Sequence, residues 1–297
     1  MAGTATSDAA RRHLHDEVVI TPDTFGEYLG NGLHRFRILR LDLFNQCNVQ
    51  CVYCPSYVLR TGTRLDLEAF AGFLRDQVLG IRELIFGCTM EPTLHPQLGE
   101  FMELVASSRV GPRKRLALAT NGTLLHRHDH AAFRRAGLRD LYLSVDTANQ
   151  ETLSTLRKGT DLARVRQNLL DLKRECPRLR LHINVVVTRL NLPEIEDLIA
   201  WGTALRCEHF VLREVFTPTE SDAREEIATN LSLLDGQFDA LKRDLLDRFG
   251  DQAAFTFADK HALEDKHYRR QRGSGAQRYL LELGRHLGNL FSKPRSH

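Results

Sequence analysis

From about residue 36 to about residue 215 the chain alternates short, nearly continuous apolar runs with longer stretches whose apolar positions recur at helical spacing. The runs are Phe36–Phe44, Glu83–Phe86, Arg115–Ala119, Leu141–Val145, Leu181–Val187 and Phe210–Leu212. Aliphatic and β-branched runs of this length read as strands buried on both faces. Between them, Leu65–Leu79 sets Leu67, Phe70, Leu74 and Val78 on one side of a helix. Leu98–Val110 and Leu162–Cys176 repeat the pattern, and Leu192–Leu205 opens with Pro193 in a first-turn position. Strands alternating with helices predict an α/β fold with a parallel sheet covered by helices. Six strands with five intervening helices suit a partial (β/α)6 TIM-like barrel. Periodicity alone leaves an open doubly wound sheet as the alternative.

Outside this region the pattern changes. Residues 1–35 read as an arm and lead-in, loose over the first 20, and residues 216–297 as a helical C-terminal extension. The extension opens with a linker at Thr217–Ser221 and has helical spacing in Leu231–Phe249 and Tyr279–Phe291. The basic, Gly/Ser-interrupted stretch 266–278 reads as a solvated loop, with a clamp on an anionic or peptide substrate as the other reading. With 42% hydrophobic and 27% charged residues the composition is that of an ordinary globular protein. Net charge of +3 (41 basic minus 38 acidic) argues neither for nor against an anionic partner, and a nucleic-acid partner is not expected. The N-terminal residues resemble no signal peptide and no run of about 18 apolar residues occurs, so the expectation is a cytoplasmic protein without a membrane partner.

Six cysteines are too few for a disulfide scaffold in 297 residues, but three stand within eight positions. Cys47, Cys51 and Cys54 are spaced C-x3-C-x2-C in a loop that follows the first strand, among Asn45, Gln46, Asn48 and Gln50. Soft thiolates suit an iron–sulfur cluster or zinc. Three of them on a four-iron cube leave one iron open, as a catalytic metal requires, and zinc with a distant fourth ligand is the alternative. At strand ends stand Thr120-Asn121-Gly122, a turn signal, and Ser144-Val145-Asp146. His126, His128 and His130 alternate without an evident acidic or thiol partner and read as a solvated surface. Cys88 lies at the mouth of the second strand, as a hydrogen-atom donor or a small buried filler, and Cys176 and Cys207 read as packing.

The cysteine loop, with Tyr53 just before its last cysteine and Cys-Pro-Ser at 54–56, resembles the signature of the radical S-adenosylmethionine (SAM) superfamily. Within it, residues 36–215 look most like the catalytic domain of the peptide- and natural-product-modifying branch that often carries a SPASM extension. The resemblance implies one [4Fe–4S] cluster on Cys47, Cys51 and Cys54. It implies reductive cleavage of SAM to a 5′-deoxyadenosyl radical that abstracts a substrate hydrogen, and an electron donor such as flavodoxin or ferredoxin. In Gly87–Pro96, Glu91 and Pro92 match the family's Gly-Gly-Glu-Pro, while Thr89 and Met90 replace the glycines. The Met90 backbone and Glu91 are then expected at the SAM amino group, with Thr120 and Asn121 nearby. Ser144 is expected near the methionine carboxylate or ribose, Asp146 at the ribose or substrate, and Arg157 on the SAM carboxylate. The segment Asn184–Thr188, with Val186, is expected to flank the adenine. Residues 208–297 contain no cysteine, so the auxiliary clusters of SPASM extensions are not expected. The reading is a tailoring enzyme for a peptide or a sugar- or nucleoside-like natural product; the alternative is a non-catalytic iron–sulfur sensor or scaffold with a decayed SAM site.

Overall fold

A computed structural model describes residues 17–28, 36–54, 60–76, 81–108, 115–215 and 230–259. The expected linker at 217–221, the basic stretch 266–278 and the helix at 279–291 lie outside the described residues. In chain order the strands are β1 (Glu17–Ile20), β2 (Ile38–Leu41), β3 (Gln50–Cys51), β4 (Glu83–Phe86), β5 (Arg115–Thr120), β6 (Leu138–Ser144), β7 (Arg157–Lys158), β8 (Arg180–Val187), β9 (Cys207–Glu214) and β10 (Ala254–Ala258). The α-helices are α1 (Leu67–Asp76), α2 (Leu98–Ser107), α3 (His130–Arg135), α4 (Gln150–Leu156), α5 (Leu162–Glu175), α6 (Ile195–Ala204) and α7 (Gln237–Phe249). The class is α/β, as the alternation predicts.

The chain divides into two compact units. The first draws its described residues from Met1–Asn48, Arg60–Ser144 and Ala163–Leu181. Its strands run β1-β2-β4-β5-β6, every neighbouring pair parallel. The order follows the sequence without reversal. A doubly wound sheet would reverse at a switch point, so this unit has the order of a barrel wall. Alternate strand residues such as Leu39, Leu41, Leu84 and Phe86 are buried. Phe86 meets Phe70 of α1 and Phe101 of α2, and these two rings lie 5.1 Å apart. At Glu17–Ile20, the end of the expected loose arm, the chain forms a strand instead: Val18 and Ile20 are buried, and Glu17 to Ile20 pair with Ile38 to Leu41.

The second unit draws on Val49–Leu59, Val145–Leu162 and His182–His297. Here β8, β9 and β10 are neighbours in that order, and β9 pairs in parallel with β10. The extension is therefore not purely helical. Phe255 of β10 stacks on Phe210 at 5.7 Å, and Phe257 meets Phe238 of α7 edge-on at 6.1 Å. The helix expected from Leu231 starts at Gln237, after Gly236 at φ 80°, while Leu231 and Leu233 are buried ahead of it. A small antiparallel pair, β3 with β7, sets Cys51 opposite Arg157, and the Val52 N–H donates to the Leu156 carbonyl at 3.0 Å.

Candidate active site

In the first unit, the C-terminal ends of β2, β4 and β5 hold a set of buried polar groups. Beyond Phe86 the chain turns at Gly87, φ 91°, where a Cβ would stand 2.3 Å from the Ala119 carbonyl oxygen, so only glycine fits. The next three residues aim their N–H groups at Asp42, which is 1% exposed. Asp42 accepts from the N–H of Cys88 at 2.7 Å, of Thr89 at 3.2 Å and of Met90 at 3.3 Å, and from Thr89 Oγ1 at 2.5 Å. Burial pushes its carboxyl up, and these donors pull it back. Thr89, which replaces a family glycine, is thus an anchor of the loop. The Cys88 side chain is exposed, which sets aside its reading as a buried filler.

Glu91 is 2% exposed and caps the short turn Pro92–Leu94. Its carboxylate accepts from Thr93 N at 3.0 Å, Thr93 Oγ1 at 2.5 Å, Thr120 Oγ1 at 2.7 Å and Asn121 N at 2.8 Å. Burial raises this carboxyl, against the pull of the same bonds. The Glu91 N–H donates to the Gln46 carbonyl at 2.9 Å, which ties the loop to the residue before Cys47. Asn121 Nδ2 donates to Asn48 Oδ1 at 2.9 Å and lies 4.0 Å from Cys47 Sγ, while Asn121 Oδ1 accepts from Thr123. Gly122, φ 77°, makes the turn, and a Cβ there would meet Leu143 at 2.7 Å. Ser144 ends β6, half-buried.

The second unit holds a different arrangement. Asp146, with no exposed surface, accepts from Arg157 Nε at 2.7 Å and Nη2 at 3.0 Å, from the Val186 N–H at 2.9 Å and from the Tyr53 hydroxyl. Arg157 Nη1 donates to Cys51 Sγ at 3.5 Å, and the guanidinium lies 5.6 Å from the centre of the Tyr53 ring. Burial works against the charge on Arg157, but Asp146, Tyr53 and Cys51 outweigh it and hold its pKa well above the ordinary arginine value. Burial also pushes the Tyr53 hydroxyl well up and the Cys51 thiol up, the latter drawn back by Arg157. Tyr53 and Val186 pack on an apolar cluster of Leu156, Val215 and Leu231.

The Asp146 carboxylate has no exposed surface and is held by four internal donors. The histidine segment corrects the expectation of a solvated surface. His126 is exposed, but His128 Nε2 meets the Thr93 carbonyl at 2.8 Å and His130 Nε2 the Leu125 carbonyl at 2.9 Å, and both rings stack on Phe133. Cys176 and Cys207 are buried, as their packing role requires. Sequence reasoning missed Asp42, Asn48, Thr123 and Asn191. Asn191 Nδ2 donates to the carbonyls of Asp146 and Val186 at 2.7 and 3.0 Å. An Asn two residues before a proline was its only signal.

The sequence profile of the radical SAM superfamily matches residues 41–202, more than half of the chain. This chain belongs to the radical SAM superfamily. It is therefore an enzyme, and the family's cofactors are a [4Fe–4S] cluster and SAM. GTP 3′,8-cyclase of Alkaliphilus oremlandii is 31% identical over 175 residues, 56% of this chain and 52% of that protein. The same enzyme of Synechocystis is 29% identical over 172 residues, 57% and 51% of the two chains. The chain thus spans about half the length of these relatives. Among solved structures, Streptococcus suis SuiB bound to the precursor peptide SuiA matches with a TM-score of 0.58 at 15% identity, over 87% of this chain and 55% of that one. anSMEcpe with bound AdoMet and a peptide matches with a TM-score of 0.58 at 21% identity, over 73% and 62%. These likenesses show the fold. Among the described residues no helix is long and apolar enough to cross a membrane.

The cysteine loop fits a cluster by its donor chemistry. The three thiols form no disulfide and are partly exposed, and two have an N–H group directed at their sulfur. Among the described residues no three His, Cys, Asp or Glu side chains converge as the ligands of a single ion would. A four-iron cube takes one thiolate per iron, and three cysteines leave its fourth iron open.

Proposed function

We propose that this enzyme uses Cys47, Cys51 and Cys54 as the three protein ligands of its cluster and abstracts a hydrogen atom from a sugar- or nucleoside-like substrate. The observation that carries the reading is the cysteine loop with a buried, donor-bearing polar group behind each of two thiols. Similarity to enzymes named for GTP supports the substrate class over half of their length. The peptides named for SuiB and anSMEcpe are not carried over, because likeness at 15% and 21% identity speaks for fold alone.

When bound, the reduced cluster and SAM supply a 5′-deoxyadenosyl radical, the species that takes the substrate hydrogen. The chain's own residues bind and orient. The Met90 backbone, fixed by its N–H on Asp42 and by the Glu91 N–H on Gln46, would hold the SAM amino group through its carbonyl. Glu91 acts as the internal brace of that loop and of Thr120 and Asn121. Arg157 commits three of its five N–H donors to Asp146 and Cys51, which leaves one on each terminal nitrogen for the SAM carboxylate. Ser144 would serve the methionine carboxylate or the ribose, and the half-buried Val186 the adenine. Cys88, exposed on the Asp42-held loop, stands as the candidate donor that returns a hydrogen atom to a substrate radical: its S–H bond breaks as the substrate C–H bond forms, and one electron from the external donor and one proton from solvent would restore the thiol from the thiyl radical. A one-electron donor of the flavodoxin or ferredoxin kind supplies the electron, and a reducing cytoplasm is the compartment that suits such chemistry.

The test is anaerobic reconstitution followed by SAM and dithionite, with and without nucleosides and nucleotides. A brown protein with about four irons that releases 5′-deoxyadenosine, faster with a nucleoside-type substrate and not at all as Cys51→Ala, meets the expectation. A brown protein that never cleaves SAM with any of them would favour the sensor or scaffold.

A further inference from the structure

We propose that Arg157 is a positioning residue that raises the reduction potential of the cluster by donating an N–H to the Cys51 sulfur, with Asp146 fixing the direction of that donor. The inference rests on the reading that Cys51 is a cluster ligand, and it adds a role to Arg157 beyond any contact with SAM.

Three observations carry it. Backbone register comes first: β3 and β7 place Cys51 directly opposite Arg157, and the Val52 to Leu156 hydrogen bond extends the pairing by one residue. Orientation comes second. Asp146 takes Nε and Nη2 as a fork, and in a planar guanidinium this fixes where Nη1 points, which is Cys51 Sγ at 3.5 Å. Asp146 is itself held by the Tyr53 hydroxyl, the Val186 N–H and, through its backbone carbonyl, Asn191. Burial comes third. The Arg157 and Asp146 side chains are 8% and 0% exposed, so solvent screens the arrangement weakly.

The physical consequence follows from charge. Reduction adds one negative charge to a cluster and its thiolates. An N–H donor at a ligand sulfur stabilises that added charge, and hydrogen bonds to sulfur are among the factors that set iron–sulfur potentials. Asp146 neutralises the formal charge of Arg157 at longer range but leaves the donor against the sulfur, so the local hydrogen bond is the larger effect. Tyr53 thereby serves twice: its ring packs beside the guanidinium, and its hydroxyl steadies the carboxylate that aims it.

The experiment compares the reconstituted wild type with Arg157→Gln and Arg157→Lys, without SAM. Iron and sulfide content are measured first, then the midpoint potential by titration followed with electron paramagnetic resonance. The expected result is a more negative potential in Arg157→Gln. The shift should change the oxidised-to-reduced ratio at fixed potential by about tenfold, ~59 mV for a one-electron couple. Arg157→Lys should fall between, because an ammonium keeps the charge but cannot hold the Asp146 fork and reach the sulfur together. A fully loaded Arg157→Gln at the wild-type potential overturns the inference and leaves the cluster assignment standing. If Arg157→Gln takes up no iron, Arg157→Lys decides, its wild-type potential overturning the proposal and a lower one supporting it. A wild-type protein that takes up no iron overturns the underlying ligand assignment, and this inference with it.

Discussion

Both units bury carboxylates beside the cysteine motif, but they satisfy them by different means. In the first, Asp42 and Glu91 are surrounded by neutral donors: backbone N–H groups and threonine hydroxyls. In the second, Asp146 is matched by a full positive charge on Arg157. Dipoles from the backbone come with the loop that supplies them, so the carboxylate and the loop form one object. A charge partner comes from a side chain that can also do something else, and Arg157 does so at Cys51. The first arrangement fixes the backbone of a loop. The second fixes the direction of a charged donor.

The contrast is sharpest where one partner is removed. Arg157→Met leaves Asp146 buried without a counter-charge, and breaking such a pair costs roughly 3–5 kcal/mol. Urea denaturation should show that loss, and Asp146→Leu combined with Arg157→Met should recover most of it. If the double variant is as unstable as the sum of its singles, the ion pair is not what couples them. Asp42→Asn tests the other arrangement. It keeps one oxygen for the 88–90 loop and sets an NH2 against donors, at a cost of about 1–3 kcal/mol. No charge is left stranded, so its midpoint shift should be the smaller of the two. A larger shift than that of Arg157→Met would invert the comparison.

The two units also differ in how much could be read from sequence. The strands of the first unit from β2 onward show in their apolar runs, and Glu83–Phe86 is bounded as the pattern bounds it. β1 was hidden because only four residues, EVVI, follow a polar arm. β10 was hidden because AFTFA is short and follows a helix, so nothing local marks it as the neighbour of β9. The cysteines, Tyr53, Glu91, Asn121 and Arg157 were legible because they sit in motifs. Asp42 was not, since its partners lie 46 to 48 residues away and, apart from the Thr89 hydroxyl, are backbone N–H groups without a side-chain signature. The donors of Asp146 are hidden for the same reason: its residue type and strand-end position are visible, but the four donors come together only through folding.

A smaller test separates the hydroxyl from the guanidinium at Asp146. Tyr53→Phe keeps the ring against Leu156 and removes one donor of four. With the Arg157 fork and the Val186 N–H retained, the loss should be about 0.5–1.5 kcal/mol. A loss as large as that of Arg157→Met would make the hydroxyl, not the arginine, the main support of the buried carboxylate.

The smallest expected effect is a drift with pH, and it singles out the first unit's way of holding a carboxylate. The Glu91 carboxyl is raised in the folded protein, chiefly by burial, so the folded state binds its proton more tightly than the unfolded chain does. The sign follows directly. Its favourable contribution is fully present below the ordinary glutamate pKa and is lost as pH rises through the raised value. Glu91→Gln has no such proton. Asp42 and every other titrating group are common to both proteins, so the difference between the two melting temperatures isolates Glu91. As pH falls from about 7 toward the ordinary carboxylate range near 4, the wild type should gain on Glu91→Gln. A difference that stays flat would mean that the four hydrogen bonds cancel the burial, and a difference that moves the other way would mean that they outweigh it. In either case Glu91 would hold its charge as securely as a paired carboxylate, and the distinction between dipoles and a counter-charge would lose its force.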